Sequence, residues 1–308
     1  MHLDAAEHFV RAPEWTWYIL FYFFFAGLAG GSYVLATLLR LAGGPRDEPA
    51  ARLGFYISLP ATLICPILLT ADLGASWLRF WHMLVDVTPG DVGLNFKYWS
   101  PMSVGVWALL VFGFFVAVSA LDTWFRDRRG RPAGILGASI GRTFTIVGSI
   151  FGLFIASYTG VLLSVSNQPV WSDTWALGGL FLASGLSGAA AAITLLVRYR
   201  PDAAFSLERL RVADAYFSIL ELVLLVAFFA TVAVAGTAGL IVPWLPLWII
   251  ALIGIGASMM GIRQPARRVQ ASGQSAAMAP VALEATVVSI LVLVAVLAMR
   301  AAVIFSAQ

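Results

Sequence analysis

Apolar residues in this chain gather into eight long windows that are separated by short polar connections. The windows cover residues 15–39, 55–77, 101–122, 142–165, 174–197, 213–238, 244–262 and 281–305. Each window is close to the roughly 20 residues that a helix needs to cross the apolar core of a bilayer. The pattern therefore predicts an all-α membrane protein with eight transmembrane helices.

The fourth window carries a small residue at every fourth position, which places these residues on one face of a helix. They are Gly148, Gly152, Ala156, Gly160 and Ser164. A face of this kind lets a neighbouring helix backbone approach closely. We expect two membrane helices to meet around the run 157–185, with Tyr158 projecting from the other side of the fourth helix.

The composition agrees with a chain that is solvated by lipid: 60% of the residues are hydrophobic and 11% are charged. The mean hydropathy is +0.89. The net charge of +3 comes from arginines in the short connections beside the apolar windows, which argues against nucleic-acid binding. Cys65 is the only cysteine, so the chain can form no internal disulfide, cysteine-ligated zinc site or iron–sulfur cluster of its own.

Most basic residues fall in the connections that follow the odd-numbered windows. They are Arg40, Arg46, Arg52, Arg126, Arg128, Arg129, Arg131, Arg142, Arg198, Arg200, Arg209, Arg211, Arg263, Arg267 and Arg268. Connections rich in Lys and Arg stay in the cytoplasm. The distribution predicts that both termini lie on the outer face. The acidic start of the chain lacks the basic region and cleavage site of a signal peptide, so we expect the first helix to be retained.

Polar and aromatic groups collect near the predicted outer ends of the first and fourth helices. Tyr22 and Tyr158 each lie about seven residues inside these ends, so both hydroxyls are expected about 10 Å below the outer surface. Asn167, Gln168 and Trp171 follow the fourth helix. A hydroxyl, amide groups and an indole N–H at one membrane edge are suited to a flat, lipid-soluble molecule with a carbonyl at each end.

The longest outer connection, residues 78–100, is rich in aromatic residues and contains His82. It is typical of an amphipathic segment on the membrane surface, which would act as a lid over a lateral pocket or as a docking surface for a partner. The alternative is an aromatic belt that anchors the helices at the interface.

Several carboxylates fall inside or close to the apolar windows, where an ionisable group needs a cavity or a partner. Asp72 lies near the outer end of the second helix, and the alternative to a role in proton transfer is that it caps N–H groups there. Asp122, Asp214, Glu221 and Glu284 lie towards the cytoplasmic ends. Asp214 and Glu221 face the same way on one helix. We expect them to form a route for protons or to pair with Arg209, Arg211 or helix ends.

Five short motifs in this order resemble the NrfD-like family, the membrane subunits of polysulfide reductase and related respiratory complexes. They are Gly27-Leu28-Ala29-Gly30-Gly31, Asp72-Leu73-Gly74 followed by Arg79-Phe80, Ser100-Pro101-Met102, Tyr158-Thr159-Gly160 and Gln168-Pro169-Val170-Trp171. The motifs cover the first five helices, and all of them are placed at or towards the outer side. The last three helices match mainly in hydropathy and in Asp214 with Glu221.

The resemblance implies two four-helix bundles, residues 1–165 and 166–308, with a quinone or quinol (menaquinone or ubiquinone) in the outer half of the first bundle. It implies no prosthetic group in this chain and electron exchange with a ferredoxin-like iron–sulfur subunit docked outside. That subunit serves a molybdenum catalytic subunit or cytochromes, in the cytoplasmic membrane of a bacterium or archaeon. Tyr158 stands where the family has its quinone-contacting tyrosine. Tyr22 and Ile19 stand where the polysulfide reductase subunit has a histidine and an asparagine.

The resulting site hypothesis assigns Tyr22, Tyr158, Asn167, Gln168, Trp171 and His82 to quinone binding, Asp72 and Glu221 to proton transfer, and no residue to a metal. A haem-b subunit is disfavoured, because the histidines, His2, His8 and His82, all fall outside the apolar windows. A secondary transporter that uses buried carboxylates is the alternative function. The anchor subunit of dimethyl sulfoxide reductases is a related architecture with the same quinol role.

Overall fold

Eight long α-helices make up the structure, a computed structural model that describes residues 11–74, 77–90, 92–129, 134–261 and 278–308. All eight are long and apolar enough to cross a membrane, so this is a multi-pass membrane protein. The helices are α1 Trp17–Ala42, α2 Glu48–Asp72, α3 Pro101–Arg129, α4 Ala138–Ser164, α5 Leu177–Val197, α6 Leu207–Ala235, α7 Leu245–Gly261 and α8 Met278–Phe305.

The eight predicted windows are confirmed as helices, and three of the helices extend well beyond their windows at the arginine-rich end. Helix α2 begins at Glu48, α3 continues to Arg129 and α6 begins at Leu207. The charged turns extend the helices past the apolar segment, because their side chains are stabilised by ion pairs. At the other end α2 stops at Asp72, and Gly74 turns the chain with a φ of +63°.

Helices α1 and α5 lie at the centre of the packing. Helix α1 packs against α2, α4 and α5, and α5 also packs against α6 and α8. Glycines allow these contacts: a Cβ atom at Gly30 would lie 2.3 Å from the carbonyl oxygen of Gly152, and one at Gly160 would lie 2.2 Å from that of Leu177. The predicted small-residue face of α4 is therefore confirmed, and it serves two neighbours, α1 and α5.

One end of the helices, which we call the arginine face, carries the connections after α1, α3 and α5. Arg52 donates to Asp127 at 2.9 Å, and Arg200 reaches the same carboxylate at 3.3 Å. Buried Asp47 pairs with Arg209. These ion pairs tie α2, α3 and the α5–α6 connection together. The predicted arginines Arg131, Arg263, Arg267 and Arg268 lie outside the described residues, as do His2 and His8.

The opposite end, the terminal face, carries the connections after α2 and α4 and both described chain ends. Trp17 packs on Phe305 with 5.3 Å between the ring centroids. Residues 77–90 and 92–99 form a lid that contains a 3₁₀ helix, Trp77–Met83, and two short antiparallel strands, β1 Val85–Asp86 and β2 Gly93–Leu94. Asn95 fixes the lid, because its carbonyl oxygen accepts hydrogen bonds from side chains of α3.

Candidate functional site

A cavity of about 620 Å³ lies between α1, α2, α3 and α4 at the terminal face. The lid covers its outer end through Phe80, Met83 and Leu84. The wall is mostly apolar, and the cavity has the size of a small-molecule site. Its polar groups are few: Tyr22, Thr62, Thr70, Asp72 and Tyr158. Tyr22, Tyr158 and Asp72, which the sequence pattern selects, therefore line one cavity, and the interpretation of residues 78–100 as a lid agrees with this geometry.

Tyr158 is held rigidly against α3. Its hydroxyl donates a 2.6 Å hydrogen bond to the carbonyl oxygen of Pro101, and its ring stacks on Phe154. Gly105 makes the close approach possible, because a Cβ atom there would lie 2.2 Å from the Tyr158 hydroxyl. Since the proton is donated to Pro101, the hydroxyl oxygen is left as an acceptor for a ligand.

Tyr22 lies on the α1 wall of the same cavity, where its side chain is buried. Its hydroxyl makes no hydrogen bond with any described residue, so it can both donate to and accept from a ligand. Ile19 lies one turn earlier on α1 and adds only apolar surface to the wall. The two tyrosines therefore offer one free donor and two acceptors.

Asp72 is the last residue of α2 and lies, half-buried, at the mouth of the cavity. Within the described residues its carboxylate accepts no hydrogen bond and makes no ion pair, so the capping alternative finds no N–H group there. Arg79 is exposed and is not paired with it among the described residues. A carboxylate between the cavity and the aqueous face is placed to exchange protons with a ligand.

Glu221 does not line this cavity and belongs to a buried polar row on α6. Asp214, Ser218 and Glu221 follow one another at intervals of four and three residues and are all buried. Ser187 of α5 donates to Asp214 at 2.6 Å and lies 3.4 Å from the Ser218 hydroxyl. The row therefore runs along the α5–α6 interface. Neither Arg209 nor Arg211 makes an ion pair with these acids among the described residues.

A second, smaller cavity of about 230 Å³ adjoins this row towards the arginine face. Asp214, Ser258 and Thr194 line it, together with Arg211 and Glu284. The other predicted acid, Asp122, has a different environment, because it pairs with Arg126 at 2.8 Å and accepts the N–H groups of Ile135 and Leu136. Asp122 therefore has a structural role as a cap for the loop before α4.

Arg300 is the functional candidate that the sequence reasoning missed. It lies in α8, is fully buried, and donates to the carbonyl oxygens of Phe23 at 2.6 Å and Phe181 at 3.0 Å. It also donates to the hydroxyl of Ser184 in α5 at 3.0 Å. Because Phe23 also lines the first cavity, Arg300 lies directly behind the wall of that cavity. An arginine inside the last apolar window was the signal available in the sequence.

The comparison with protein families decides the assignment of this architecture. The family described as "Polysulphide reductase, NrfD" matches residues 5–308. The chain belongs to the NrfD family. The resemblance noted in the short motifs is thus confirmed over nearly the whole chain.

Three curated proteins are similar to this NrfD-family chain. The C chain of polysulfide reductase from Wolinella succinogenes is 28% identical over 56% of the present chain and 55% of its own length. Protein NrfD of Escherichia coli is 27% identical over 76% of both chains. The C subunit of selenate reductase from Mesobacillus selenatarsenatis is 25% identical over 37% of the present chain and 24% of its own length. The match thus spans about half of the first relative's length, and two of the three relatives are named as subunits of reductases.

Four residues that were predicted to bind the quinone lie outside the lining of the large cavity in this NrfD-family chain. Gln168 donates to the carbonyl oxygen of Arg11, and Trp171 donates to that of Val303, each at 2.7 Å. Asn167 is exposed, and the His82 ring packs against Trp81. Gln168 and Trp171 anchor the chain before α1 and the end of α8. Their contact with a quinone stays a prediction that this geometry does not support.

Trp171 lies one layer behind the cavity. Its ring stacks on Trp15 with 5.3 Å between the ring centroids, and Trp15 lines the cavity. Trp171 therefore supports the wall without forming it. As for metals, the described residues contain no group of three or more His, Cys, Asp or Glu side chains that could hold an ion.

Proposed function

We propose that this chain is the membrane subunit of a respiratory oxidoreductase and that it binds a quinone or quinol in the large cavity. One observation carries the proposal: an apolar cavity of about 620 Å³ is covered at its outer end by a lid and lined by the side chains of Tyr22 and Tyr158. A quinone ring is flat and apolar, with two oxygens that need hydrogen-bond partners when they leave water. Membership of the NrfD family supports the same function.

The hydrogen bonds of the cavity are suited to the reduced ligand. The Tyr158 hydroxyl donates its proton to the carbonyl oxygen of Pro101, and the Thr70 hydroxyl donates to that of Pro66. Their oxygens, and the carboxylate of Asp72, are acceptors. A quinol has two O–H groups to donate, whereas a quinone can only accept. Tyr22, which is free to donate, serves both redox states.

The electrons pass to or from a ferredoxin-like iron–sulfur subunit at the terminal face, which serves a molybdenum or cytochrome subunit. The arginine face is cytoplasmic by the positive-inside rule, so the lid and both termini lie outside the cytoplasmic membrane of a bacterium or archaeon. The lid presents exposed aromatic side chains, including Trp81, Tyr98 and Trp99, and is the docking surface. In this arrangement α1–α4 and α5–α8 form two bundles, and the first holds the quinone.

Purification of the tagged chain from its native membranes tests this function. We expect an iron–sulfur subunit to co-purify, to crosslink to residues 78–100 and 166–173, and to show cluster reduction by electron paramagnetic resonance when a quinol is added. A solitary chain, without quinol-dependent reduction of any partner, would contradict the proposal and favour a transporter. Crosslinks at residues 126–129 would contradict the orientation.

Proton transfer belongs to the same proposal. Quinol oxidation releases two protons, and Asp72 at the cavity mouth is the acceptor on the outer side. Glu221 belongs to a separate proton route, which begins at the second, smaller cavity towards the arginine face and passes through Asp214, Ser187 and Ser218. Arg300, which donates to the carbonyl oxygen of Phe23 in the cavity wall, is the residue that would couple this route to the quinone site.

Asp72→Asn and Glu221→Gln are expected to have different effects in proteoliposomes that contain the whole complex. Asp72→Asn should lower quinol-linked turnover about 100-fold, because general-base catalysis contributes about 10² to 10⁴ in rate. Glu221→Gln should keep turnover within about twofold and abolish proton uptake from the cytoplasmic side, since only the relay is interrupted. Normal turnover and normal proton movement in both variants would rule out these roles.

A further inference from the structure

The large cavity opens sideways into the lipid between α2 and α3. Three side chains that line it are also exposed on the outside of the helices: Leu63 by 57%, Leu110 by 51% and Phe114 by 60%. All three lie within apolar spans, where exposed surface meets lipid and not water. The cavity is therefore continuous with the bilayer at this point.

Gly113 lies in the middle of this opening. A Cβ atom there would find only one neighbour, the Thr62 methyl group at 3.8 Å, whereas a Cβ atom at Gly105 would collide with Tyr158. Both glycines line the cavity on the same face of α3. They are eight residues apart, which corresponds to about 12 Å along the helix axis. The cavity thus has a tyrosine end at Gly105 and an open end at Gly113.

The two ends differ in polarity. Tyr22, Tyr158, Thr70 and Asp72 lie towards the terminal face. At the open end, the polar residue Thr62 donates its hydroxyl proton to the carbonyl oxygen of Ser58. The remaining wall there is aliphatic, aromatic or glycine. An amphiphilic ligand with a polar ring and a hydrocarbon tail matches this gradient in one orientation only.

Neighbouring helix interfaces are closed by direct contacts. Ser58 of α2 donates to the carbonyl oxygen of Ala29 in α1 at 2.9 Å, and α1 meets α4 at Gly30 and Gly152. Between α2 and α3, the hydrogen bonds among described residues are those of Arg52 and Tyr56 to Asp127 at the arginine face. None of these hydrogen bonds crosses the gap between α2 and α3 alongside the cavity.

We infer that the ligand's hydrocarbon tail leaves the cavity through the α2–α3 portal, which consists of Leu63, Leu110, Gly113 and Phe114. The ring lies at the tyrosine end, and the tail extends past Gly113 into the bilayer. The substrate is thereby a hydroquinone with a polyprenyl or alkyl tail that enters from the lipid, not from the aqueous face beneath the lid. This inference rests on the proposed quinol site.

The variant Gly113→Leu tests the portal in the intact complex. It places an isobutyl group in the gap while the tyrosine end is unchanged, and Ala117→Leu is the matched control because Ala117 is exposed on the same helix outside the cavity lining. With a decyl-tailed quinol, kcat/KM of Gly113→Leu is expected to fall at least about tenfold, since a misfit of a few methylene groups in an apolar site costs that much. With tailless duroquinol, kcat/KM should stay within about twofold of the unmodified chain.

Equal losses with both quinols, or no loss with either, would overturn the portal. A different outcome would contradict the proposed function itself: the unmodified complex would oxidise neither quinol. If Gly113→Leu does not assemble, Gly113→Cys provides a second test. Its new thiol can be labelled selectively, because the native Cys65 is buried. A saturating long-tailed quinol should then protect Gly113→Cys from N-ethylmaleimide, and duroquinol should not. Equal protection by both quinols would contradict the portal.

Discussion

Tyr158→Phe is expected to lower quinol-linked turnover at least about tenfold, since loss of one hydrogen bond of about 1.4 kcal/mol in the transition state gives that factor. The hydroxyl is the acceptor that Pro101 fixes in place at the cavity wall. The amount of assembled complex should be unchanged, because the ring keeps its stacking on Phe154 and Pro101, the first residue of α3, is exposed. Steady-state assays with a purified quinol give the comparison.

Tyr33→Phe is the control for this variant. Tyr33 is fully buried and its hydroxyl is hydrogen-bonded to Ser119 at 2.7 Å, but it does not line the cavity. It should therefore lose a buried hydrogen bond of the same kind without any loss of turnover. Equal turnover in the Tyr158 and Tyr33 variants would remove Tyr158 from the site.

Arg300→Met is expected to have the largest effect on stability, because the fully buried guanidinium donates to two carbonyl oxygens and to Ser184, and a hydrogen bond from a charged donor contributes about 1.5–3 kcal/mol. The carbonyl oxygens of Phe23 and Phe181 would lose the guanidinium donor, and the interior, which also contains the carboxylate of Glu221, would lose a buried positive charge. The folded fraction in detergent and the midpoint of thermal unfolding should both fall. Arg198→Met, at an exposed site beside Tyr199, should leave both nearly unchanged.

The double variant Arg300→Met with Glu221→Gln separates the two contributions. If the charge of Glu221 causes most of the loss, the neutral glutamine should restore a large part of the thermal midpoint. No recovery in the double variant would mean that the carbonyl hydrogen bonds alone account for the effect. Such a result would mean that the stability contributed by Arg300 does not depend on the charge of Glu221.

The number and placement of the membrane helices were predictable, because hydropathy reports directly on what lipid can solvate. The small-residue face of α4 was predictable from its four-residue spacing, and it placed Tyr158 on the side that faces the cavity. The ends of α2, α3 and α6 at the arginine face were not predictable from hydropathy. They are set by ion pairs such as Arg52 with Asp127, which join residues 75 positions apart in the sequence.

The candidate site was predictable where depth along a helix decides position, as for Tyr22, Tyr158 and Asp72. It was not predictable for loop side chains whose hydrogen-bond partners lie far away in the sequence. Trp171 bonds to Val303, 132 residues away, and Gln168 bonds to Arg11, 157 residues away. The sequence places these side chains at the correct membrane edge, but it does not show which neighbouring segment they contact there.

Photoaffinity labelling with an azido-quinone tests the central claim most directly. In proteoliposomes containing the complex, the reagent should label peptides from residues 62–73 and 102–114, which form the α2 and α3 walls of the large cavity. Excess quinol should suppress this labelling. Labels that concentrate instead at residues 191–214 and 257–289 around the small cavity, or that excess quinol does not suppress, would contradict a quinone site between α1 and α4.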